Sequence, residues 1–147
     1  MKFNKLEWQR KNRAENGNVC TKKYEKTKKG FLVRMYRNMK SRTCGVQKMK
    51  AHLYLGLSLI DKEPFYEWAL NSDEFHVMFA TWETANYDRK LTPTVDRINS
   101  SIGYELHNMQ WLTHSQNSIK GNHAKRKREP DGDFTVHNHT IINGKVR

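Results

Sequence analysis

The chain is short of several things, and each shortage excludes a class of protein. Its 147 residues hold only two cysteines, Cys20 and Cys44. That is too few for a disulfide framework or a four-thiolate zinc site, and both read as incidental. No apolar run approaches the roughly 20 residues of a membrane span, and the opening MKFNKLEWQR lacks the apolar stretch of a signal peptide. The expected location is therefore the cytoplasm, with no membrane partner. Hydrophobic residues make up 36% of the sequence, so the core should be small. Internal repeats are absent.

Positive charge, by contrast, is abundant. The net charge is +12 and the pI about 9.8, which calls for an anionic partner. The excess is unevenly spread. Residues 1–50 hold 16 Lys and Arg against 3 Asp and Glu, whereas residues 51–95 hold 3 against 7. From Asp96 onward the ratio is 8 to 5, with four of the cations in Lys125-Arg126-Lys127-Arg128. A concentrated arm points to a surface that tracks phosphates rather than to an even solubilising coat.

Four segments follow from composition and periodicity. Residues 1–30 form a basic arm, expected to be loosely ordered helix or coil without DNA. Residues 31–90 read as helical. Phe31, Leu32, Met35, Tyr36 and Met39 recur at helical spacing, with Arg34, Arg37 and Lys40 between them. AHLYLGLSLI, interrupted by Gly56, reads as a buried connector or short helix. Pro64 suits a first helical turn before Phe65, Trp68 and Ala69, and a further helix starts at Asp73 with Phe75, Met78, Phe79 and Trp82 as its core stripe.

Residues 91–123 have a different pattern. Pro93 stops helix, Val95 and Ile98 flank Asp96-Arg97 in an extended run, and Asn99, Ser100, Ser101 and Gly103 make a loop. Met109, Trp111 and Leu112 mark a second strand. Thr113 or Ser115 then caps a short helix expected to end near Gly121. Residues 124–147 form a basic polar tail. It includes a hairpin signal in TIINGKVR and the tripeptide His137-Asn138-His139. The fold class expected is α+β, mostly helical, with one hairpin-plus-helix unit.

Within residues 94–122, VDRI is followed by GY, then by N-x-x-W-x-T, then by a helix carrying Asn. Asn108 and Asn117 stand 12 and 21 positions after Asp96. This arrangement resembles the HNH endonucleases of the ββα-metal (His-Me finger) superfamily, most nearly their small phage-type members. The resemblance is strong over these thirty residues and weak over residues 30–93. It implies a hairpin and helix around one divalent cation, Mg²⁺ or Mn²⁺. It also implies a metal-dependent endonuclease that nicks or cleaves duplex DNA, with a monomer the favoured state.

The resemblance assigns roles to particular residues. Asp96 would be the anionic metal ligand and Asn117 the helix ligand. His114, three positions earlier on the same helix face, would be a third ligand or a phosphate contact. Asn108 would tie the loop and orient the base across the hairpin. The chemistry is consistent: phosphodiester hydrolysis needs charge neutralisation on the phosphoryl group, stabilisation of the leaving oxygen and an activated water, and a hard cation on oxygen or nitrogen ligands supplies the first two.

At the base the chain departs from the family. Asp96 is followed by Arg97 where the family has His, and a guanidinium with a pKa above about 12 cannot take a proton. The sister pattern, with a base three places after the Asp, meets Asn99 instead. Arg97 would instead clamp the scissile phosphate. The base would then be His107, His114 or His123, in that order, or metal-bound water alone. DNA contacts are expected from Arg34, Arg37, Lys40, Arg42, Lys120, Lys125, Arg126, Lys127 and Arg128. The rival expectations are a nucleic-acid-binding protein that keeps the fold without catalysis, and an adaptor that binds an acidic protein.

Overall fold

A computed structural model describes residues 2–128, with side chains through Lys125. The chain is mixed α+β and mostly helical, with one small antiparallel sheet. Its described residues divide into two compact units, residues 2–71 with 99–108, and residues 72–98 with 109–128. The hairpin of TIINGKVR and the tripeptide His137-Asn138-His139 lie outside the described residues.

In the first unit, the residues expected as helix or coil form two helices, α1 (Lys5–Asn16) and α2 (Val19–Glu25). Asn4 starts α1, its Oδ1 accepting from the amides of Leu6 and Glu7 at 3.1 and 3.2 Å. Neither helix has a buried residue. α3 (Lys28–Thr43) begins where Thr27 Oγ1 accepts from Gly30 N, and it buries Phe31, Leu32 and Met39. After α4 (Ala51–Tyr54), α5 (Lys62–Leu70) carries Pro64 in its first turn and buries Phe65 and Ala69. Tyr36 of α3 packs against Phe65 with ring centroids 5.6 Å apart.

The segment after α4 is extended and pairs with the loop at Tyr104 through a parallel bridge from Leu59. Tyr104 N donates to Ser58 O and Ile60 N donates to Tyr104 O, both at 2.8 Å. This close approach is why residue 103 is glycine: a β-carbon there would collide with the Ser58 backbone oxygen.

In the second unit, α6 (Asp73–Thr84) is capped by Ser72 and buries Phe75, Phe79 and Trp82. Strands β1 (Pro93–Arg97) and β2 (Met109–Thr113) pair antiparallel in the register Val95 to Trp111 and Asp96 to Gln110. Trp111 packs on Phe75 with centroids 4.7 Å apart, which seats the hairpin on α6. Burying one such aromatic contributes about 1.5–3 kcal/mol.

α7 (His114–Arg128) follows β2 directly and packs on both strands. It starts with a reciprocal cap: Gln116 N donates to Thr113 Oγ1 at 3.2 Å, and Thr113 N to Gln116 Oε1 at 2.9 Å. The expected stop near Gly121 does not occur, and the helix continues to Arg128. Nothing lies within 4 Å of where a Gly121 β-carbon would stand, so this glycine answers no steric demand. A mid-helix glycine costs only about 1 kcal/mol relative to alanine, too little to end a helix by itself. The run from Lys125 to Arg128 thus lies within α7.

Candidate functional site

Alternation along a strand puts Thr94 and Asp96 on one face of β1, and helical spacing puts His114, Asn117 and Lys120 on one face of α7. Two contacts join these faces. Asn117 Nδ2 donates to Thr94 Oγ1 at 3.2 Å, and Lys120 Nζ donates to Asp96 Oδ2 at 2.5 Å. The same ammonium donates to the backbone oxygens of Arg97 at 2.6 Å and Ile98 at 3.3 Å. From the opposite strand Gln110, in register with Asp96, donates Nε2 to Oδ2 at 2.8 Å.

The Asp96 side chain is 10% exposed and that of Lys120 38%. A carboxylate so buried needs a compensating cation, and Lys120 is that cation. Asp96 Oδ1 and Asn117 Oδ1 have no hydrogen-bond partner among the described residues. Both are oxygen donors of the kind a hard divalent ion takes. His114 begins the same helix face, and its imidazole makes no hydrogen bond or ion pair among the described residues. No cluster of three or more His, Cys, Asp or Glu suited to a metal occurs among the described residues, so a metal here would rest on Asp96 and amide or backbone oxygens.

No family model, curated protein or solved structure matches the chain.

The remaining expected site residues are distributed as follows. Arg97, expected at the phosphate, is buried at 7% exposure. Asn108 belongs to the first unit, where it closes the 3-10 turn Leu106–Asn108 one residue before β2. Its Oδ1 accepts from Asn99 N at 2.8 Å. Its Nδ2 reaches the carbonyls of Asn99, Ile102 and Gly103 at 3.0, 3.4 and 2.9 Å. At 3% exposure it ties the loop from within. His107, in the same turn, is exposed, and its Nε2 lies 3.3 Å from Glu105 Oε2. His123 is exposed on α7.

Of the expected DNA contacts in the first unit, Arg37 and Lys40 are exposed on α3. Arg34 is exposed but paired with Glu25 at 3.0 Å. Arg42 is turned inward. Its guanidinium lies over the Tyr54 ring, 5.7 Å from the centroid, and donates to Tyr104 Oη at 3.2 Å. Lys120 is directed onto Asp96 rather than outward. Lys125 is exposed, and Arg126, Lys127 and Arg128 follow it on α7.

Sequence reasoning missed two parts of this site, the Lys120 contact with Asp96 and the Gln110 amide opposite it. Both had a signal. Lys120 follows Asn117 by three residues on a helix, and a hairpin register through Trp111 puts Gln110 across from Asp96.

Proposed function

We propose that this chain is a metal-dependent DNA endonuclease of the HNH, ββα-metal type that nicks or cleaves duplex DNA. The observation that carries the reading is the convergence of β1 and α7. Asn117 contacts Thr94, and Lys120 contacts Asp96, so the two residues the resemblance nominates as ligands stand on facing elements. The Asn108 amide closing its loop through four hydrogen bonds supports the same reading, because that is the role the resemblance gives it.

Asp96 and Asn117 would hold one Mg²⁺ or Mn²⁺ through their side-chain oxygens. Such an ion, when bound, supplies charge neutralisation at the phosphoryl group and the leaving oxygen. Gln110 fixes the Asp96 carboxylate against rotation, and Thr94 orients the Asn117 amide so that its oxygen, not its nitrogen, is left for a ligand. The proposed general base is His107, which lies beside Glu105, or His114.

One observation favours a second reading, a nucleic-acid-binding protein without catalysis. Asp96 is already neutralised by Lys120. The two readings separate in a plasmid relaxation assay across Mg²⁺, Mn²⁺ and EDTA. The endonuclease converts supercoiled DNA to nicked or linear forms only with metal, and Asp96→Ala and Asn117→Ala each lower the rate by about 100-fold or more, the usual scale for removing an electrostatic contributor to phosphoryl chemistry. Retention of DNA on a gel with no cleavage under any metal, unchanged in Asp96→Ala, would establish the binding protein instead.

A further inference from the structure

The three acceptors around the Lys120 ammonium are one carboxylate oxygen and two backbone carbonyls, from Asp96, Arg97 and Ile98. An ammonium has three donors, and here each has an acceptor. The same three consecutive residues form an all-oxygen cradle of the type that hard cations occupy. Its geometry comes from the end of β1, where the chain leaves the ladder after Arg97 and its carbonyls become available to a side chain from α7.

We propose that Lys120 is a resident counter-cation that competes with the divalent metal for the Asp96 cradle. This rests on the endonuclease reading and adds a control on metal loading to it. Lys120 on Oδ2 and a divalent metal on Asp96 oppose one another electrostatically, because an ammonium and a divalent ion would share one carboxylate of 10% exposure. Lys120 has an outward route, since its own side chain is 38% exposed and its long stem lets the ammonium turn to solvent or to a phosphate. The site therefore stays neutral without metal and avoids a bare buried carboxylate. Metal affinity is lower than the oxygen ligands alone would give. A phosphate that draws Lys120 away raises it.

The test is Mn²⁺ binding to the full chain by titration calorimetry, without DNA, for wild type, Lys120→Met, Lys120→Gln, Lys120→Arg and Asp96→Asn. Lys120→Met and Lys120→Gln should bind Mn²⁺ about ten-fold more tightly than wild type or better, the scale of one charge-assisted contact. Lys120→Arg should stay near wild type, and Asp96→Asn should abolish binding. As a second readout, Mn²⁺ should raise the melting temperature of Lys120→Met more than that of wild type, by preferential binding to the folded state. Two neutral variants are used so that a failure of either to fold does not decide the result. Equal Mn²⁺ affinity in wild type and both neutral variants, with metal-dependent plasmid cleavage by the wild type, would overturn the competition while leaving the endonuclease standing. No Mn²⁺ binding by any of the five chains would remove both.

Discussion

Asn108 shows how one amide shapes a loop. Apart from the bridge at Tyr104 and the turn at Leu106–Asn108, residues 99–108 have little regular backbone pairing, and the Asn108 carboxamide substitutes for it by taking one N–H and facing three carbonyls. Asn108→Ala leaves those groups to compete for water in a site of 3% exposure, and the expected loss is about 3 kcal/mol of unfolding free energy. Urea unfolding followed by tryptophan fluorescence checks this, and a loss below about 1 kcal/mol would mean that the loop is held by its other contacts. Asn108→Asp should recover only part of the loss, because a carboxylate accepts the Asn99 amide but repels the carbonyls. This residue was nominated beforehand by the resemblance, as the Asn of N-x-x-W-x-T expected to tie the loop. Lys120 was not. A lysine near a cationic stretch reads as one more phosphate contact, and only the packing of α7 on β1 brings its ammonium to a residue 24 positions away.

At the scale of elements, capping and stripe residues predicted starts better than stops. Thr113 and Ser72 open α7 and α6 because a side-chain oxygen beside free amides is a local interaction, readable from a few residues. Helix ends have no such local mark: a single glycine such as Gly121 costs only about 1 kcal/mol and did not end α7. The α3 and α5 pairing allows a pH test. Tyr36 and Tyr66 pack with ring centroids 6.2 Å apart, and Tyr36 Oη donates to Ile60 O at 3.0 Å. Burial pushes both phenols above their ordinary 10.0. Asp61 then reinforces the shift at Tyr36 and Tyr24 at Tyr66, while Arg37 works against it at Tyr66. A phenol whose folded pKa is raised loses its proton first in the unfolded chain. Its contribution is thus complete below pH 10.0 and is lost as the pH climbs through the folded value. Melting temperature measured from pH 8 to 11 should fall in the upper part of that range, and Tyr66→Phe should flatten the fall. An unchanged profile in Tyr66→Phe would assign the alkaline loss to the lysines.

At the scale of the whole molecule, charge decides what the fold is for. The excess of cations in residues 1–50 suits the DNA partner proposed above. The structure sorts those cations into two kinds, a distinction that composition cannot make. Arg37 and Lys40 are exposed on α3 without a carboxylate in ion-pair range among the described residues, whereas Arg42 is stacked on Tyr54 and bonded to Tyr104. Only the first kind should release counterions from the proposed DNA partner. Duplex binding measured from 50 to 300 mM salt should give a linear log–log slope, and Arg37→Gln with Lys40→Gln should make it shallower by about 1.8, at roughly 0.9 per lost phosphate contact. Arg42→Gln should leave the slope within about 0.3 of wild type and lower the melting temperature instead, because it removes a packed guanidinium from the unit that holds Tyr104. If the slope responds to Arg42 and not to the α3 pair, the phosphate track runs over the Tyr54 and Tyr104 rings, and the exposed face of α3 faces water in the complex.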